Sequence, residues 1–279
     1  MRKILITGAN GMLAKAVKKR FKEDELICTD VDELDITDAE AVNAFVSENR
    51  PDVVINCAAY TAVDMAEEKE AIAKKINCNG PKNLAIAAEN NSAIFVHIST
   101  DYVFGGDLDV EKEYREDDEK HPQTAYGRTK LQGEQAITEN NKSYYIFRTA
   151  WLYGKGNNFV ETMLTLGEKN EEVKVVADQY GSPTYTVDLA DIIYRSLEKH
   201  IPYGIYHATN IGFTSWCDFT KKIFEDAGIS CRVIPVTSEE FPRPAKRPKN
   251  SKLSKGKIVR QGIVMPDWED ALERYLKDR

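Results

Sequence analysis

Two rhythms of apolar and polar positions alternate along the first half of the chain. Ile4-Leu5-Ile6 is a short, continuous run of apolar residues, the pattern of a strand covered on both faces. It leads through Thr7-Gly8-Ala9-Asn10-Gly11 into the helix-spaced Ala16, Val17 and Phe21. The rhythm then repeats. Leu26-Ile27-Cys28-Thr29 predicts a second strand, followed by a helix over 39–45 that Thr37 or Asp38 caps. Val53-Val54-Ile55-Asn56 predicts a third strand, with helical composition over 66–77 and a helix restarting over 80–84. A fourth strand falls at 93–98, and His97 inside this apolar stretch reads as a satisfied core histidine. Alternation of this kind specifies a parallel sheet wrapped by helices, an α/β doubly wound architecture. A helix beginning near Thr124 and a strand over 144–148 complete it. The character then changes: Gly- and Asn-rich loops separate a helix over 159–168, a strand over 173–176, a helix over 187–197 and a short segment at 204–207.

Composition narrows the class. With 279 residues, 42% hydrophobic and 30% charged, the chain has the makeup of an ordinary globular protein able to bury a sizeable core. Its net charge of −7 argues against a general nucleic-acid binder and for a small-molecule partner. The sequence has no long apolar run and starts directly in its first strand, so no membrane association and a cytoplasmic location are expected. The five cysteines are scattered, without a C-x-x-C, and read as reduced packing residues. One segment departs from the acidic balance: 243–257 carries seven Lys or Arg and no acid, with Pro242, Pro244 and Pro248 keeping it extended. It is expected to strap an anionic substrate.

The candidate chemistry begins at the first turn. Gly8 suits a tight turn, Gly11 lets a ligand approach the backbone, and small Ala14 allows close packing of helix on strand. Free N–H groups at the start of the helix would meet a pyrophosphate. This makes residues 1–150 a dinucleotide-binding domain of Rossmann type, and 151–279 a smaller α/β region expected to bind substrate, some of it returning to the first domain. Asp30 ends the second strand, where a carboxylate binds ribose hydroxyls and repels a 2′-phosphate, which by itself leans toward NADH. Asp35 and Ile36 follow near an adenine position, and Ala58 and Ala59 let a cofactor lie against the third strand's end. Thr100 sits at the same sheet edge. Tyr126 and Lys130, four apart on one helix face, pair a phenol with an ammonium whose charge is expected to lower the phenol's pKa.

Several of these segments together carry a resemblance. The glycine loop, Cys57-Ala58-Ala59-Tyr60-Thr61-Ala62-Val63-Asp64, Ser99-Thr100-Asp101-Tyr102-Val103-Phe104, Tyr126-x-x-x-Lys130, Gly156-Asn157-Asn158-Phe159 and Arg243-Pro244-Ala245-Lys246-Arg247 resemble the extended short-chain dehydrogenase/reductases, and within them the dTDP-4-dehydrorhamnose reductase family, nearly end to end. The resemblance implies hydride transfer from NADPH, with NADH possible, to the C4 carbonyl of a dTDP-deoxysugar. It implies Tyr126 as general acid, Lys130 on the nicotinamide ribose and Thr100 on the carbonyl oxygen. It also implies cofactor contacts from Gly8, Asn10, Gly11, Met12, Leu13, Asp30, Asp35, Ile36, Ala58, Ala59, Thr61 and Asn77, besides Tyr126 and Lys130. Sugar-nucleotide contacts would come from Val63, Asp64, Thr100, Asp101, Trp151, Asn157, Asn158 and Arg247. The family includes metal-dependent dimers, but no carboxylate cluster here has convincing ligand spacing, so no metal site is expected and Mg2+ is not expected to be obligatory. A homo-oligomer is possible but nothing in the chain indicates one. A related epimerase or dehydratase, and a non-catalytic cofactor-binding subunit, are the competing readings; the presence of Thr100, Tyr126 and Lys130 together disfavours the second.

Overall fold

The structure, a computed structural model, describes residues 1–279. Its first half runs β1 (Lys3–Thr7), α1 (Met12–Arg20), β2 (Glu25–Thr29), α2 (Ala39–Asn49), β3 (Val53–Asn56), α3 (Val63–Glu68), α4 (Glu70–Lys74), α5 (Gly80–Asn90), β4 (Ile94–Thr100), α6 (Ala125–Asn140) and β5 (Tyr144–Thr149). The remainder comprises β6 (Leu152–Tyr153), α7 (Phe159–Lys169), β7 (Glu172–Val176), β8 (Tyr180–Gly181), β9 (Thr184–Tyr185), α8 (Thr186–Glu198), β10 (Gly204–His207), β11 (Thr214–Ser215), α9 (Trp216–Ala227), β12 (Arg232–Val236), β13 (Asn250–Ser251), α10 (Gly256–Val259) and α11 (Trp268–Asp278). No helix is long and apolar enough to cross a membrane.

Six strands form one parallel sheet in the order β10-β5-β4-β3-β1-β2. Alternate side chains feed two cores, which is why the central strands read as unbroken apolar runs. Ile4, Ile6, Val53, Ile55, Val96, Tyr145 and Phe147 pack with α1 and α8; Leu5, Val54, Phe95 and Ile146 pack with α2, α5 and α6. A third core joins α7, α9, α11 and the parallel pair β7 and β12. The segment 204–207 pairs with β5 in the main sheet, and α8 packs on α1 through Leu189, Ile192 and Ile193. The C-terminal half therefore supplies both a separate layer and one edge of the sheet.

Over 66–77 the expected single helix is interrupted. α3 ends at Glu68, and α4 runs through a π-helical turn, Lys75–Asn79, straight into α5. The wider turn brings Asn77 fully inside, where its amide accepts from Tyr60 N at 2.8 Å and donates to Tyr60 O at 3.1 Å. Those two bonds pin the loop that follows β3.

Helix α6 sits unusually close to its neighbours. Thr124 caps it by accepting from Gly127 N at 3.0 Å. A Cβ on Gly127 would lie 2.2 Å from the Tyr102 carbonyl oxygen, and one on Gly133 equally close to that of Asn77. Both obstacles are backbone, so neither can swing away. Gly127→Ala is expected to cost roughly 1–3 kcal/mol in thermal unfolding and to lower turnover by tilting the first turn of α6. A variant melting with the wild type would show that the helix tolerates the shift.

Candidate functional site

Strands β1, β3, β4 and β5 all end at one edge of the sheet, and the glycine turn, the loop after β3 and the first turn of α6 converge there. Gly8 adopts φ +64, and a Cβ on it would come 2.6 Å from Ala58 N, so only glycine lets the first turn nest against β3. Gly11 caps α1 without any side-chain bond to the helix, leaving the N–H groups of its first turn available to an anion. Asp30 steadies the turn from β2, its carboxylate accepting from Asn10 N and Val31 N, both at 2.9 Å.

Two cavities open at this edge, and Gly11, Cys57, Ala58 and Ala59 form a wall common to both. The outer one, about 660 Å³, takes Gly8, Asp30, Asp35 and Ile36, and adds Lys75 and Ile76 from the π turn. The inner one, about 530 Å³, takes Met12, Leu13, Thr61, Val63, Thr100, Asp101, Tyr126, Lys130, Trp151 and Asn157. Their continuity over a glycine wall is the shape of a dinucleotide cleft with a reacting pocket at its inner end. The Gly8 and Gly11 cradle and the open α1 N-terminus fit a dinucleotide. No group of three His, Cys, Asp or Glu side chains is placed to hold a metal ion.

Some residues expected at the site are engaged elsewhere. Asn77 lies behind the loop, its amide consumed by Tyr60 and Thr129, so it holds Ala58 to Thr61 in place without reaching the cleft. Asn158 is the N-cap of α7: it accepts from Glu161 N and donates to Gly154 O and Gly156 O. Asn10 presents its backbone to Asp30, and its side chain is exposed. Asp64 accepts from Arg247 Nη2 at 2.9 Å and from Ala245 N at 3.2 Å, tying α3 to the basic strap. Arg247 lines a third cavity, also about 530 Å³, formed by the strap against Gly105 and Gly106. Its Nη1 is buried and has no partner. Trp151 has a left-handed backbone, φ +48, and its indole stacks on Trp216 at 3.6 Å. Trp216 also lines the inner cavity. Nothing near it in sequence signals this, because only the return of α9 brings it to Trp151.

The electrostatics revise one expectation. Burial pushes the Tyr126 phenol up to about 12, against the opposing effect of the Thr100 hydroxyl. Burial also pulls Lys130 down to about 8, with Glu134 acting the other way. The Lys130 amine bonds Ile98 O at 2.6 Å and lies 3.1 Å from His97 Nε2, so burial sets the direction of the tyrosine's shift. The phenol therefore stays protonated at neutral pH, the state an acid catalyst needs. Thr100 donates to Asp101 Oδ1 at 3.0 Å, so a carbonyl oxygen entering the pocket competes with Asp101 for that proton. Desolvation raises Asp101 to about 6 although Ser251 and Thr100 both bond it.

A Rossmann sheet whose open edge carries a glycine cradle and, one wall away, Thr100, Tyr126 and Lys130 defines a short-chain dehydrogenase/reductase. The family model described as RmlD substrate binding domain matches residues 1–279, and the chain belongs to that family. It is similar to the dTDP-4-dehydrorhamnose reductase of Mycolicibacterium smegmatis, 43% identical over 97% of this chain and 84% of that one. Among solved structures it resembles a dTDP-4-dehydrorhamnose reductase from Clostridium acetobutylicum (51% identical, TM-score 0.95, covering 99% of this chain and 98% of that one). The enzyme of the same name from Bacillus anthracis, solved in complex with NADP, is 44% identical with a TM-score of 0.96 over the whole of both chains.

Proposed function

We propose that the protein reduces the C4 carbonyl of dTDP-4-dehydro-L-rhamnose to give dTDP-L-rhamnose, taking hydride from NADPH and accepting NADH as well. The observation that carries this reading is the single cavity that holds Thr100, Tyr126 and Lys130 against the glycine wall. A reduced nicotinamide supplies the hydride when bound. The chain does the rest. Tyr126, protonated at neutral pH, gives its proton to the sugar oxygen as charge develops there, and the Thr100 hydroxyl bonds the same oxygen. Lys130 presents its amine to the cleft from a buried, hydrogen-bonded base. The stacked Trp151 and Trp216 offer a flat apolar wall to the sugar or thymine. Arg247, on the strap and lining its cavity, is the cation assigned to the diphosphate. The five free cysteines suit a cytoplasmic enzyme.

Mixing the protein with NADPH and dTDP-4-dehydro-L-rhamnose should give substrate-dependent loss of reduced-nicotinamide absorbance with stoichiometric dTDP-L-rhamnose. Sugar conversion without net consumption of NADPH would instead indicate an epimerase or dehydratase, and dinucleotide binding without any conversion a regulatory subunit.

Cofactor preference has its own test. Asp30 lines the outer cavity at the end of β2, and Lys75 is the cation that lines the same cavity. Asp30→Ala should move the ratio of kcat/KM for NADPH over NADH upward by about tenfold, because a carboxylate that repels a 2′-phosphate is gone. An unchanged ratio would remove Asp30 as the discriminating group.

A further inference from the structure

The middle of the basic strap is exposed, and few bonds hold it. Upstream, Ser238 anchors the chain by donating to Asp178 Oδ1 from its hydroxyl at 2.7 Å and from its backbone N–H at 2.9 Å. Downstream, Asn250 Nδ2 donates to Asp109 O at 2.8 Å and to Lys112 O at 3.0 Å. Between these anchors, residues 241–248 hydrogen-bond to the rest of the chain only at Asp64. Its Oδ1 accepts from Ala245 N at 3.2 Å, and its Oδ2 accepts from Arg247 Nη2 at 2.9 Å. Ala245 is also the one buried residue of that stretch.

Asp64 stands where three parts of the site meet. It lies in the first turn of α3, after the loop whose Ala58 and Ala59 wall the dinucleotide cleft, and its neighbour Val63 lines the inner cavity. Its partner Arg247 lines the strap cavity together with Arg243, Lys246 and Lys249, four cations against Asp107 and Glu239. Burial raises the Tyr102 phenol, and Arg247 and Asp64 both act on it. The ion pair therefore sits beside a ring that lines the inner cavity and meets Tyr126 edge to face at 5.5 Å. A carboxylate repels an anionic ligand, and both oxygens of this one are engaged by the strap. What it can do is hold the cation that such a ligand needs.

We propose that Asp64 is a positioning residue for the sugar nucleotide: it ties the middle of the strap to α3 before the ligand arrives, so that Arg247 and its cavity are already formed. The gain is in order. Without the tie, the ligand has to fix the strap between Ser238 and Asn250 as it binds, and the backbone freedom lost there lowers affinity. Repulsion between the Asp64 carboxylate and the ligand's phosphates acts the other way. The Arg247 and Asp64 side chains are 24% and 32% exposed, so solvent and salt screen that repulsion, whereas nothing screens the ordering cost. Removing Asp64 therefore weakens binding. That the ligand of Arg247 is a diphosphate rests on the function proposed above; the tie itself does not.

The test compares the wild type with Asp64→Ala and Asp64→Asn in the full chain. Trypsin reports on the strap directly, because it cleaves after Lys246 and not after Arg243 or Arg247, which precede prolines. Without ligand, cleavage between Lys246 and Arg247 should run about fivefold faster or more in Asp64→Ala, with melting and cleavage elsewhere in the chain unchanged. The KM for the dTDP-sugar should rise about tenfold and that for NADPH by no more than about twofold, the loss in kcat/KM residing in KM. Asp64→Asn keeps an acceptor for Ala245 N–H, so it should fall between Asp64→Ala and the wild type on both measures, and it carries the test should the alanine variant fail to fold. A sugar-nucleotide KM that stays put or falls, an NADPH KM that rises equally, or unaltered cleavage after Lys246 would overturn the proposal. Cleavage requires no substrate, so its outcome stands whatever the absorbance assay decides about the reductase reading.

Discussion

Tyr126→Phe is expected to lower turnover by roughly two to four decades, the range a positioned general acid contributes. The ring fills the same space, and its edge-to-face contact with Tyr102 at 5.5 Å does not involve the hydroxyl, so the fold should be unaffected. Only the proton disappears. Dinucleotide affinity should therefore stay near that of the wild type, because the outer cavity and its glycine wall do not include Tyr126. Stopped-flow absorbance for turnover and fluorescence titration for binding separate the two. A Phe variant with full turnover would show that another group or a water supplies the proton, and one that loses cofactor affinity equally would show Tyr126 to be a binding residue.

Glu134→Ala should be the most destabilising single change near the site. Glu134 and Arg148 are both almost fully buried and meet in a bidentate pair at 2.7 and 2.9 Å, and Arg148 Nη1 donates to Glu116 O at 2.9 Å. Removing the carboxylate strands a guanidinium between α6 and β5, at a cost of about 3–5 kcal/mol. For a chain of this size that lowers the melting midpoint on the order of 10 °C. The double variant Glu134→Ala with Arg148→Met should recover much of the loss, because the cost lies in the unpaired charge more than in the missing bond. Equal melting of single and double variants would contradict this account. Since Glu134 also supports the Lys130 ammonium, its loss should move the Lys130 titration further down.

The outline of the cleft was legible residue by residue. Glycines at 8 and 11 after a buried strand, an acid at the end of β2, and small residues after β3 each state a backbone requirement that follows from local chemistry. The helical spacing of Tyr126 and Lys130 placed them on one face, and both do line the inner cavity. Their electrical relation was not legible. Spacing suggested that the ammonium would act on the phenol, whereas the amine turns inward to a strand carbonyl and a histidine from another element. Asn77 and Asn158 show a related limit: polar side chains in a motif look alike whether they face a ligand, pin a loop or complete a cap. Only their hydrogen-bond partners tell these apart.

Periodicity and turn chemistry thus determined the parallel sheet, the glycine cradle and the pairing of tyrosine with lysine, because each depends on residues within a few positions of one another. The tertiary structure decided what depends on distant segments meeting. It brought 204–207 into the sheet edge, stacked Trp216 on Trp151, tied Asp64 to Arg247, and set Thr7, Asn56 and His97 in one row beneath Lys130. The register of three strands sets these side chains next to one another, and no stretch of sequence holds more than one of them.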